Sequence, residues 1–62
     1  MGQQLDVIRE MIQKKIPDKK VRTVWFLAID VHNNILYGAS GNNGSLFAIA
    51  KISPTGDVEI IR

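Results

Sequence analysis

The chain has 62 residues, with eight Lys and Arg against six Asp and Glu for a formal charge of +2, one histidine, no cysteine and a hydrophobic fraction of 45%. A chain this short buries only about 60% of the surface its unfolded form exposes, so it holds one domain of thin stability margin. The absence of cysteine excludes a disulfide framework, a thiolate zinc site and a cysteine nucleophile, and leaves oligomerisation as the usual reinforcement. The apolar content argues against disorder. No apolar run approaches the roughly 18 residues that span a bilayer, and no basic segment followed by an apolar one opens the chain, so a cytoplasmic protein with no membrane partner is expected.

Leu5, Ile8, Ile12 and Ile16 recur at spacings of three, four and four, with Val7 and Met11 widening the stripe and Gln4, Arg9, Glu10, Gln13 and Lys14 falling elsewhere. This period predicts an amphipathic helix over about residues 4–16. Asp6 is expected at its cap or in its first turn, and Lys14 and Lys15 at the end that favours cations. Pro17 disfavours helical geometry at Ile16 and ends the element.

Residues 21–31 are rich in branched and aromatic side chains and are bounded by His32-Asn33-Asn34, which predicts a long strand and a hairpin turn at the two asparagines. Residues 35–40 return as its partner. The eight-residue insert GASGNNGS, residues 38–45, separates this strand from a third, residues 45–53. Pro54-Thr55-Gly56-Asp57 is a turn signature, and residues 58–62 form the last strand. The expected fold is therefore α+β: one domain, residues 1–62, with an N-terminal amphipathic helix packed on a four-stranded antiparallel β-meander.

Alternation through these turns sorts the side chains by face. One face collects Val21, Thr23, Trp25, Leu27, Ile29, Val31, Leu36, Phe47, Ile49, Val58 and Ile60, and is expected to receive the helix. The other collects Val24, Phe26, Ala28, Ile35, Tyr37, Ala39, Leu46, Ala48, Ala50, Ile52 and Ile61. One helix covers one face, and an apolar face left bare marks an interface. The expected interface residues are Phe26, Ala28, Tyr37, Ala39, Leu46, Ala48, Ala50 and Ile52, with the alanines admitting a second sheet at close range in a homodimer or higher oligomer. A different protein partner meeting this face, or a free strand edge, is the related expectation.

Chemistry is sparse. His32 is a lone histidine beside a turn, so no metal site is expected. The serines have no evident base, and the segment Gly38-Ala39-Ser40-Gly41 lacks the spacing of a nucleophile elbow. The acidic residues form no acid and base pair. In the insert, Asn43 stands where a phosphate-binding P-loop needs its second glycine, and no lysine follows, so it reads as a hairpin turn. A non-enzymatic binding or regulatory module without cofactor follows. The alternative function is an oligomeric DNA- or RNA-binding protein using Lys14, Lys15, Lys19, Lys20 and Arg22, five cations against Asp18 alone in nine residues.

Residues 27–61, with Asp30, the Leu36-Tyr37-Gly38 run, Leu46-Phe47 and the closing Thr55-Gly56, resemble a single blade of a β-propeller, which implies a four-stranded antiparallel meander. A helix followed by strands is similar in order to the Sm-like RNA-binding proteins, although their lysine-histidine motif is absent here. Neither resemblance carries a site residue.

Overall fold

The computed structural model describes residues 2–42 and 44–62, with side chains described from residue 5 onward. Helix α1, Gly2–Lys15, is followed by strands β1, Thr23–Ile29, β2, Ile35–Ser40, β3, Leu46–Ile52, and β4, Val58–Ile61. The strands form one antiparallel sheet in the order β1-β2-β3-β4, and the helix packs on one side of it, which makes the fold α+β. The body is a slab of 31 × 26 × 18 Å, one helix and one sheet thick.

The helix starts earlier than its apolar period suggests, so Asp6 lies in the second turn and no acid occupies the first. Its last turn carries Lys14 and Lys15, as the dipole favours. The Ile16 amide still bonds the carbonyls of Ile12 (3.1 Å) and Gln13 (3.2 Å) before Pro17 turns the chain away. β1 is shorter than expected because the chain on either side of it spends its amides elsewhere. The Val21 N–H donates to Gln13 Oε1 at 2.9 Å, and the Asp30 N–H donates to the Asn34 carbonyl at 2.9 Å.

The first hairpin turn is built by Asp30 more than by the asparagines. Its carboxylate accepts from the His32 and Asn34 amides, each at 2.9 Å, and from Asn34 Nδ2 at 3.0 Å. Asn33 takes the left-handed backbone at φ 66°. At the last turn the Asp57 N–H donates to Ser53 Oγ at 3.0 Å, and Gly56 supplies φ 93°.

Two β-bulges break the strict alternation. Leu27 has no partner between the pairs Phe26↔Tyr37 and Ala28↔Leu36, and Phe47 has none between Ala39↔Ala48 and Ser40↔Leu46. Each extra residue changes which side the following positions take. Ala39 therefore pairs with Ala48, and Ser40 with Leu46, across the second bulge. Ala28 and Leu46 leave the alanine face and join Trp25; Val58 and Ile60 move to the alanine side through the register of the last turn, which sets them opposite Ile52 and Ala50 with no bulge between β3 and β4.

The helix chooses the opposite side from the one expected. Ile12 and Ile16 form the buried core with Val21, Val24, Ala39, Ala48 and Ala50, and Ile8, Tyr37, Phe47, Val58 and Ile60 pack around it. Small side chains that were read as room for a second sheet are room for the helix. The core is correspondingly small: Ile12, Ile16 and Val21 are its largest fully buried side chains, and the only tryptophan lies outside it.

Truncating Ile12 to Ala should cost about 2–5 kcal/mol, because the small residues facing it cannot expand into the cavity. Urea titration at fixed protein concentration reads this as a lower midpoint, and a variant as stable as the parent would contradict the packing described.

Candidate functional site

The uncovered face of the sheet is organised around Gly38. The row Trp25–Gly38–Ile49–Ile61 crosses all four strands, and the next row is Ala28–Leu36–Lys51–Glu59. A Cβ on Gly38 would lie 2.7 Å from Trp25 Cε2 and Cζ2 and 3.0 Å from Leu46 Cδ1, so the indole rests on the glycine backbone with Leu46 beside it. Trp25, Leu36 and Ile49 are half-buried, whereas Leu46 and Ile61 remain 49% and 43% exposed. Lys51 Nζ and Glu59 Oε1, 3.8 Å apart, form an exposed pair of the kind that adds little stability.

At one end of this face β4 falls short of β3. Pairing ends at Ile49↔Ile61, leaving residues 46–48 without a neighbour on that side. Leu46, Phe47, Ala48, Ile49, Ile61 and Arg62 line the notch that results. Trp25 stands at the opposite end of the same row.

Of the expected interface residues, Ala39, Ala48, Ala50 and Ile52 are at most 7% exposed on the helix side, and Tyr37 is half-buried there. Phe26 shares that side at the sheet edge, 56% exposed, with its ring edge-to-face on Tyr37 at 6.4 Å. Only Ala28 and Leu46 reach the uncovered face. Trp25 and Ile49, expected under the helix, lie on the uncovered face, where they meet Ile61, which was expected on a bare face but not among the interface residues. A legible signal existed in Gly38, since a glycine directly opposite a tryptophan marks a ring lying flat on the sheet.

The basic segment is held by Gln13. Its Nε2 donates to the carbonyls of Ile16 (2.8 Å) and Lys19 (2.7 Å), while its Oε1 accepts from Val21. One amide thereby fixes the whole link between α1 and β1. Arg62 grips Asp18 through two bonds of 3.1 Å, holding that carboxyl below its usual 3.8, with the Asp18 backbone amide as the next cause. The Arg22 N–H bonds the Ser40 carbonyl at 2.9 Å, and a Cβ on Gly41 would meet the Phe47 ring tightly at 3.3 Å and the Lys20 carbonyl at an ordinary contact distance of 3.6 Å. The link and the GASGNNGS turn thus lie side by side; Asn43 of that turn is outside the described residues. Lys19, Lys20, Gly41, Asn42, Ser45 and Phe47 line a groove between them, with Lys19 Nζ over the Phe47 ring at 5.7 Å.

His32 is exposed in its turn, and among the described residues no group of three His, Cys, Asp or Glu converges for a metal. No described helix is long and apolar enough to cross a membrane. Comparison with protein-family models, with curated proteins and with solved structures finds no match.

Two measurements check this geometry. Replacing Gln13 with Ala leaves the part-buried Val21 amide without its acceptor and should cost about 1–3 kcal/mol, read by urea midpoint and by faster exchange of that amide. The Asp18–Arg62 pair lowers the folded pKa of Asp18, so its contribution is present at neutral pH and is lost as pH falls below the unfolded value of about 3.9 and through the folded one. The stability difference between the parent and Arg62→Gln should therefore shrink below about pH 4.

Proposed function

We propose that the chain is a non-enzymatic interaction module that acts as a homodimer, its uncovered sheet faces packed together. The observation that carries this reading is the placement of Trp25, which rests on Gly38 in the middle of an apolar face that the single helix does not reach. Buried-core logic alone would put the largest aromatic under the helix. A half-exposed tryptophan in one row with Ile49 and Ile61, with Leu46 beside its glycine, has the composition of an interface anchor.

A second copy suits this face better than an unrelated protein because the face complements itself. Trp25, its ring resting on the sheet, is one end of the central row, and the notch beside Leu46 and Ile61 is the other. A two-fold axis across the row sets each tryptophan over the partner's notch, and the adjacent row offers one lysine and one glutamate for a reciprocal pairing. Four strands at about 4.8 Å and six residues at about 3.3 Å give a face of roughly 19 by 20 Å. That flat footprint, about 380 Å² per copy, is roughly half that of a standard specific interface, so the dimer should be weak, micromolar at best. The accessible surface supports the same reading: 4349 Å² exceeds the roughly 4,000 Å² of a compact monomer of this mass.

Sedimentation velocity over about 1 to 200 µM tests the proposal, with the weight-average mass expected to rise from one copy to two across that range. Trp25→Asp should abolish the rise while the circular dichroism of α1 persists. A parent chain that sediments as a monomer throughout, or a Trp25→Asp variant that still dimerises, would overturn it.

A further inference from the structure

We infer that the groove between the α1–β1 link and the GASGNNGS turn binds single-stranded nucleic acid, with Lys19 and Lys20 on the phosphates and Phe47 under a base. The groove lies within one copy and does not require the dimer, but it shares Phe47 with the notch of the proposed dimer, so binding is measured on the Trp25→Asp variant as well as on the parent. The groove's charge is local and only partly compensated. Among the described residues the ion pairs are Arg9–Glu10, Lys51–Glu59 and Arg62–Asp18, so Lys14, Lys15, Lys19, Lys20 and Arg22 form no ion pair, and Asp18, already held by Arg62, is the one carboxylate near enough to feel the charge of Lys19. The one acid within the segment is neutralised by an arginine from the far end of the chain, which leaves a larger positive field than the sequence total of +2 suggests.

The backbone beneath these lysines is fixed rather than loose. Gln13 ties the Ile16 and Lys19 carbonyls together, and the Arg22 N–H bonds the Ser40 carbonyl, which anchors the link beside the turn. The cations are therefore presented from a fixed base, which lowers the ordering cost of binding a phosphate chain.

Phe47 distinguishes a nucleic acid from other polyanions. It is the bulge residue of β3, half-buried at the groove, and Lys19 is its ring partner. When a phosphate draws the ammonium off the ring, the exposed part of the aromatic face becomes a surface on which a base stacks. Lysines with an adjacent aromatic are the parts that sequence-tolerant single-strand binding requires. The groove, about 460 Å³, has room for a nucleotide unit. A duplex holds its bases away from such a ring, so single strands should bind more tightly.

Fluorescence anisotropy with labelled oligothymidylate and oligouridylate of about twelve nucleotides tests this across salt, since each phosphate contact on a single strand contributes a log–log slope of about −0.7. Three to five contacts predict a slope of roughly −2 to −3.5, and Lys19→Gln with Lys20→Gln should lower affinity at least about tenfold and flatten the slope by about 1.4. Phe47→Leu, confirmed folded by circular dichroism, should weaken binding at least about fivefold with the slope unchanged. Arg9→Gln, which removes a charge outside the groove, should bind as the parent does. Absence of binding at about 100 µM protein and low salt would overturn the inference, as would equal affinity for a polyglutamate of matching charge or tighter binding to duplex.

Discussion

The contact on which this fold depends is that of Ile12 and Ile16 with a floor of alanines. Ala39, Ala48 and Ala50 lie on adjacent strands and leave no side chain standing between helix and sheet, so two isoleucines reach the sheet surface itself. Burial follows from proximity: these alanines and both isoleucines are at most 3% exposed. Val21 and Val24 close one margin, while Val58 and Ile60 pack at the other through β4. A larger residue at Ala39 or Ala50 would lift the helix and open the whole core, because nothing else in so thin a slab takes up the slack.

This solution leaves a remainder. A sheet has two sides, and the described helix covers only one of them. The residues there are not polar, as they usually are on the wet side of an antiparallel sheet. They are Trp25, Ala28, Leu36, Leu46, Ile49 and Ile61, with Thr23, Ser40, Lys51 and Glu59 as the polar members among the described residues. Seating the indole on Gly38 hides part of it within the monomer, since the glycine removes the side chain the ring would strike. The edge strand β1 has the same apolar character, with no charge from Thr23 to Ile29, yet the bulge at Leu27 bends the row of backbone groups that another strand would need. The face is thus a better meeting surface than the edge.

The polar architecture is separate from the core and concentrated at one end. Gln13 is on the helix, but its amide serves the chain that follows. It accepts from Val21 and donates to two carbonyls of the link, so the direction from α1 into β1 is set by a single side chain. Asp18 and Arg62 tie the same link to the C-terminal end of the sheet across 44 positions of sequence. The pair is half-exposed and modest in strength, yet it decides which charges of the segment remain uncompensated.

Much of the architecture was written locally. The spacing of Leu5, Ile8, Ile12 and Ile16 specifies a helix, Pro17 ends it, and the turn residues Asn33 and Gly56 place the strands within a few positions of where they lie. Alternation also grouped Trp25 with Leu36 and Ile49, and Tyr37 with Ala39, Ala48 and Ala50, because the side-chain period of a strand is a local property. What alternation lacks is any term for the space between layers. Tertiary structure decided which group lies under the helix, since close approach favours the alanines and excludes an indole, and it decided the two bulges, which moved Ala28 and Leu46 to the open face through pairing with a neighbouring strand. The Asp18–Arg62 contact is of the same kind: an ion pair between distant positions exists only once the sheet has brought the end of the chain back to the first link.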